Sequence, residues 1–145
     1  MLETKKLFIT WDEFHAHSKQ LSNMLRDLKS WNKLVCIARG GLAPASLLSR
    51  YLDITYVDTI CMSSYDDKTD SHQDLEIIKS LTSTDSNILV IDDLVDSGKS
   101  IAAARKMLPN AHFATIYGKP NGIKQIDTYL IDIPQSTWIV FPWEQ

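Results

Sequence analysis

Apolar runs alternate along this chain with stretches of helical spacing. Leu34-Val35-Cys36-Ile37-Ala38 and Ile88-Leu89-Val90-Ile91 contain no polar residue, the pattern of strands buried on both faces of a parallel sheet. Ile54 to Tyr65 alternates as a long strand does, and further strands are expected at His112 to Tyr117 and Tyr129 to Ile133. Thr10-Trp11-Asp12-Glu13 fits a capping box, after which Phe14, Leu21, Leu25 and Leu28 keep helical spacing. Leu42 to Leu52 reads as a helix with Pro44 in its first turn, and Ile101 to Leu108 as another, closed by Pro109. Leu75 to Leu81 suits either a strand or a helix. Asp66 to Asp74 is polar and without period, which predicts a mobile loop. No repeat or linker divides residues 1–145, so a single α/β domain is expected, with a mainly parallel twisted sheet flanked by helices.

In such sheets ligands bind beyond the carboxyl ends of the strands. Three loops there carry chemistry: Arg39-Gly40-Gly41, Asp92 to Ser100, and Lys119-Pro120-Asn121-Gly122. The second is the most specific. Asp92 and Asp93 stand at the expected end of a buried strand, and Asp96, Ser97, Gly98, Lys99 and Ser100 lead into a helix N-terminus. Unpaired N–H groups of a first helical turn cradle anions. A paired carboxylate beside such a cradle suggests a ligand with phosphate, hydroxyls and a divalent cation. Gly98-Lys99-Ser100 matches the tail of a P-loop, but Asp93 occupies the place of its first glycine, so that loop is not expected. Turn and cap chemistry accounts for one of these aspartates more easily than for the set.

Composition narrows the class. The 145 residues are 44% hydrophobic and 23% charged, ordinary for a soluble globular chain. A net charge of −3 without a basic run argues against broad nucleic-acid binding. Cys36 and Cys61 lie in apolar strands and read as small buried hydrophobes rather than a disulfide. His15 and His17 are expected on a helix surface, and the histidines lack zinc-type spacing. Nothing resembles a signal peptide or an apolar span of membrane length, so a cytoplasmic location is expected.

The stretch from Ile88 to Ser100 resembles the signature of type I phosphoribosyltransferases, which bind 5-phosphoribosyl 1-pyrophosphate. The likeness spreads over nearly the whole chain in one register. Ile9-Thr10-Trp11-Asp12, Arg39-Gly40-Gly41-Leu42, Val57-Asp58-Thr59, Ser63-Ser64-Tyr65-Asp66, Lys119-Pro120, Asp132-Ile133-Pro134-Gln135 and Thr137-Trp138-Ile139 resemble the bacterial xanthine-guanine branch. Asp66 to Asp74 carries a small apparent insertion. The resemblance implies that fold, with a small hood region. It also implies a purine-salvage transferase moving the phosphoribosyl group to a 6-oxopurine (guanine or xanthine, with hypoxanthine a further candidate), giving the nucleoside monophosphate and pyrophosphate.

Read through the resemblance, Asp92 and Asp93 meet the ribose hydroxyls and hydrated Mg²⁺, with Asp93 the metal contact. Asp96 to Ser100 hold the 5′-phosphate, and Leu94 and Val95 complete that binding segment. Arg39 and Gly40 receive the pyrophosphate. Asp96 has a second role beside the imidazole edge of the purine, as proton acceptor or orienter, the alternative being a simple helix cap. Lys119 donates to the purine 6-oxo group, Trp138 stacks on the base, and the Ile139 carbonyl accepts from a 2-amino group. Without the resemblance, Lys119 reads as a solvated loop residue and Trp138 as a core or rim aromatic. The peptide entering Arg39 is implied to be cis.

Two departures stand out. The family's mobile loop has an arginine near the pyrophosphate where this chain has Gln73, with Lys68 as its replacement, and an ammonium is not a guanidinium fork. The chain also ends at Trp143-Glu144-Gln145, where that branch continues for about another ten residues. A homo-oligomer, dimer or tetramer, is implied, and peripheral membrane association is left open. The competing reading is a regulatory protein that keeps this fold and senses phosphoribosyl pyrophosphate or nucleotides.

Overall fold

The computed structural model describes residues 4–64 and 75–145. In chain order the elements are β1 (Lys6–Phe8), α1 (Trp11–Leu28), β2 (Lys33–Ala38), α2 (Leu42–Tyr51), β3 (Val57–Ser64) and β4 (Leu75–Lys79). They continue with β5 (Ile88–Val95), α3 (Lys99–Met107), β6 (His112–Gly118), β7 (Thr128–Asp132) and β8 (Trp138–Val140). The main sheet has the order β4-β3-β2-β5-β6-β7. Its strands are parallel except β4, which runs antiparallel to β3. This is the expected type I phosphoribosyltransferase arrangement. β1 and β8 form a separate parallel pair, the small hood.

Strand alternation divides the core into two layers. Leu34 and Cys36 of β2, with Leu89 and Ile91 of β5, pack under Phe14, Leu21 and Leu25 of α1 and Leu48 of α2. Val35 and Ile37, with Ile88 and Val90, turn the other way onto Ile101, Ala104 and Leu108 beside α3. Successive side chains of a strand point to opposite faces, so a run apolar at every position is needed to fill both layers. The capping box forms as expected: the Glu13 amide donates to Thr10 Oγ1 at 3.1 Å and the Thr10 amide to Glu13 Oε1 at 3.0 Å.

Several expectations are corrected. β1 precedes the strand that the apolar pattern marks as first; three residues of mixed exposure leave no periodic signal. Of the ambiguous stretch Leu75 to Leu81, Leu75–Lys79 is a strand, and Ile77 and Ile78 are exposed because β4 forms the sheet edge. Leu28 ends its helix and is 55% exposed rather than packed. His17 is half-buried, with Nδ1 2.9 Å from the Tyr117 hydroxyl, while His15 is on the surface. β5 does not stop at Ile91: Asp92, Leu94 and Val95 keep pairing with Thr115, Tyr117 and Gly118 of β6. The acidic pair therefore belongs to the strand itself. Cys36 and Cys61 are free thiols, and burial pushes Cys36 up to about 12.

His112, at the start of β6, packs on Trp31 with ring centroids 5.3 Å apart and has Nε2 2.7 Å from Thr128 Oγ1. Burial holds its pKa below the ordinary value. The unfolded chain therefore takes up the proton first as pH falls. The stability is whole above about 6.5, the unfolded value, and is lost as pH drops from there through the lowered folded value. His112→Gln is expected to flatten the decline in melting temperature between about pH 7 and 5. An unchanged slope in a thermal-melt series would remove His112 as its source.

Candidate active site

The loop from β5 to α3 encloses a cavity of about 190 Å³, lined by Asp92 and residues 94–101. Gly98 precedes α3 with φ of 89°, a left-handed conformation, and has no side chain to cap that helix end, although the Lys99 amide donates to Ser97 Oγ at 3.4 Å. Ser100 and Ile101 of the first turn line the cavity and that turn holds no competing acidic residue, as an anion cradle requires. A Cβ at Gly98 would stand 2.8 Å from Gln125 Cγ. Gly98→Ala is expected to cost about 1–2 kcal/mol from the left-handed backbone, read as a lower melting temperature. A stability equal to wild type would mean that the loop relaxes to another conformation.

Asp92 and Asp93 stand between this cradle and a second cleft of about 920 Å³, whose lining includes Arg39, Gly40, Cys61, Asp93, Trp143 and Glu144. Asp92 Oδ1 accepts from the Asp93 amide at 2.8 Å and Asp93 Oδ1 from the Leu94 amide at 2.6 Å. Burial, then the adjoining Asp93 charge, pushes Asp92 well above the usual carboxylate range. Burial also raises Asp93, against an opposing bond from Asp92. Gly40 comes so close that a Cβ there would lie 2.8 Å from Asp93 Oδ1 and 2.9 Å from Asp92 Oδ1. Only a glycine leaves the carboxylates open on that side. The Ala38–Arg39 peptide is cis, and Arg39 projects exposed from the same turn.

Two half-buried oxygen donors whose charge is disfavoured suit a hard divalent cation. Mg²⁺ characteristically takes one or two carboxylates together with substrate phosphates and waters. Among the described residues no group of three or more His, Cys, Asp and Glu could hold a metal ion by itself. Asp93 is the better placed of the pair, since it also borders the larger cleft.

Lys119 follows β6 and overturns the solvated-loop reading. Its side chain is 5% exposed, and Nζ lies 3.2 Å from Asp96 Oδ2. The Lys119 amide donates to the Val95 carbonyl at 2.9 Å, which ties this loop to the end of β5. An ammonium this deep needs a partner, and Asp96 supplies it. Asp96 thus faces Lys119 rather than serving as the helix cap, a place Gly98 takes.

Trp138 begins β8 and is 57% exposed, a ring face open to solvent rather than a core aromatic. The Trp138 amide donates to the Lys5 carbonyl at 2.8 Å, and the Val140 carbonyl accepts from the Ile9 amide at 3.0 Å. Alternation along the strand then turns the Ile139 carbonyl away from β1, to the open edge of the hood. Neither residue lines the two cavities given above, so the hood offers a surface separate from them. Lys68, Gln73 and the rest of the expected mobile loop lie outside the described residues.

Sequence reasoning did not single out Gln135 or Glu144 as site residues. Gln135 Nε2 donates to Asp96 Oδ1 at 2.7 Å, and Glu144 lines the large cleft with Asp93. Each lies far along the chain from its neighbour, in a short proline-marked turn that gives no sign of that contact. The Asp132-Ile133-Pro134-Gln135 stretch was legible as a resemblance, but not as a contact with Asp96.

Residues 10–145 match the phosphoribosyl transferase domain family. Among solved structures, a purine phosphoribosyltransferase from Pyrococcus horikoshii shares 27% identity over 97% of this chain and 95% of its own, with a TM-score of 0.78. A xanthine-guanine-hypoxanthine phosphoribosyltransferase from Helicobacter pylori shares 28% over 96% and 94%, also at 0.78. A hypoxanthine phosphoribosyltransferase from Staphylococcus aureus shares 26% over 86% and 75%, at 0.65.

Proposed function

Because this chain belongs to the phosphoribosyl transferase domain family, we propose that it transfers the 5-phosphoribosyl group from 5-phosphoribosyl 1-pyrophosphate to a 6-oxopurine, guanine or xanthine first and hypoxanthine as a further candidate. One observation carries the reading. A small cradle and a larger cleft lie on either side of the Asp92–Asp93 pair, as a sugar with a phosphate at one end and a pyrophosphate at the other requires. The names of the similar enzymes from Pyrococcus and Helicobacter support a purine as acceptor.

The cradle of residues 96–100 binds the 5′-phosphate through first-turn amides and the hydroxyls of Ser97 and Ser100. Asp92 and Asp93 accept from the ribose hydroxyls and fix the ring, which presents the anomeric carbon. Arg39 and the open backbone at Gly40 take the departing pyrophosphate by charge-assisted hydrogen bonds. Asp93 would hold Mg²⁺, which would supply charge neutralisation for the departing pyrophosphate. A purine ring nitrogen forms the new bond to the anomeric carbon as the carbon–oxygen bond to pyrophosphate breaks and its electron pair leaves with that oxygen. Asp96 orients the imidazole edge of the base and accepts its proton. Lys119 donates to the 6-oxo oxygen, and Trp138 offers a face for stacking. The two carboxylates stabilise positive charge developing on the ribose.

Incubation with phosphoribosyl pyrophosphate, Mg²⁺ and each of guanine, xanthine, hypoxanthine and adenine tests the proposal. Nucleoside monophosphate and pyrophosphate are expected in equal amounts from at least one 6-oxopurine, and none from adenine. Binding of phosphoribosyl pyrophosphate without turnover of any base would favour the regulatory reading instead.

A further inference from the structure

Asp96 has two partners, and only Lys119 enters the chemistry above. The other is Gln135, in the connection between β7 and β8. Its Nε2 donates to Asp96 Oδ1 at 2.7 Å, while its Oε1 accepts from the Asn121 amide at 2.8 Å. The second bond assigns the first. An amide N–H can only donate, so the carboxamide oxygen must face Asn121, and the NH₂ group is then held toward Asp96. Lys119 Nζ meets the opposite carboxylate oxygen, Asp96 Oδ2, at 3.2 Å. One half-buried side chain thus ties the carboxylate after β5 to the Lys119-Pro120-Asn121 loop after β6.

We propose that Gln135 is a positioning residue for the purine subsite, acting through Asp96 and the Asn121 backbone. The inference rests on the purine-transfer reading. Asp96 is half exposed and an isolated carboxylate there would turn between solvent and the Lys119 ammonium. With Gln135 in place, one oxygen is held and the plane of the carboxylate is fixed. Its remaining lone pairs are then left for the imidazole edge of a base. When Lys119 turns its N–H groups to the 6-oxo oxygen, Asp96 keeps a donor and need not follow. The same bond to Asn121 holds the loop that carries Lys119, so both base-facing groups share one brace.

Gln135→Ala removes both bonds, and Gln135→Glu keeps the shape but sets a second carboxylate against Asp96. Loss of a hydrogen bond to a charged group is expected to lower kcat/KM for the purine by about tenfold in Gln135→Ala, and by more in Gln135→Glu. KM for phosphoribosyl pyrophosphate should change much less, since Gln135 bonds Asp96 and Asn121 and none of the amides and hydroxyls of residues 97–100 that hold the phosphate. In an Asp96→Ala background, adding Gln135→Ala should cost clearly less than it does in the wild type, because only its bond to Asn121 is then left to lose. A general folding defect would instead raise both KM values and lower the melting temperature. An inactive wild type overturns both the function and the inference. An active wild type with Gln135→Ala unchanged, or with additive effects in the double variant, overturns the inference alone.

Discussion

Asp93→Asn is expected to lower turnover by about 10²–10³-fold, the usual cost of removing one preorganised charge-stabilising group. Asparagine keeps the volume and the oxygen that accepts from the Leu94 amide at 2.6 Å. It removes the charge that would meet both the ribose and the cation. The variant should therefore fold. Burial already disfavours an ionised Asp93, so the substitution takes away an unfavourable charge rather than a stabilising pair. Rates measured across a Mg²⁺ titration separate the two roles. Loss of turnover together with a weakened response to Mg²⁺ is the expected pattern, with an unchanged circular dichroism spectrum and melting temperature. Near-normal turnover in the folded variant would take Asp93 out of the mechanism and leave Asp92 alone beside the cradle.

How much of this was legible beforehand follows from the range of each signal. Leu34 to Ala38 and Ile88 to Ile91 announce a doubly buried strand because both layers of the sheet must be filled from one run. The Thr10–Glu13 box is local, closed over three residues, and forms as read. β5 runs past its expected end because polar side chains do not end a strand whose ladder is made by the backbone. Asp92 stays in the ladder through its backbone pairing with Thr115, and the ladder is indifferent to the side chain. β4 was ambiguous because an edge strand has no inward face along its whole length, and Ile77 and Ile78 are both exposed.

The site divides along the same line. The cradle and the acidic pair come from one continuous segment, so residue types and spacing gave them together. Lys119 was readable only through resemblance, since a lysine before proline carries no sign that it will be buried against Asp96, which is 23 positions away. Gln135 is 39 positions from Asp96, and nothing in its own neighbourhood marks it. Contacts made across the carboxyl ends of parallel strands depend on strand order, and strand order is the part that no local pattern encodes.

Lys119→Ala should lower kcat/KM for 6-oxopurines by about ten- to a hundred-fold, because a hydrogen bond from a charged donor is worth about 1.5–3 kcal/mol. The effect should fall on the base more than on phosphoribosyl pyrophosphate, because Lys119 lines neither the cradle nor the larger cleft that take its phosphates. The ammonium is 5% exposed, and its removal leaves Asp96, itself 51% exposed, with solvent and Gln135 for partners. The fold should lose little. Selectivity gives the sharper readout. Guanine, xanthine and hypoxanthine present an oxygen to Lys119, whereas adenine presents an amino group and would meet it donor to donor. Truncation removes both the attraction and the clash, so the gap between hypoxanthine and adenine should narrow even as the overall rate falls. Initial rates for the two bases, at fixed phosphoribosyl pyrophosphate, measure that gap directly. An equal loss of affinity for base and phosphoribosyl pyrophosphate would instead make Lys119 a phosphate ligand or a purely structural partner of Asp96.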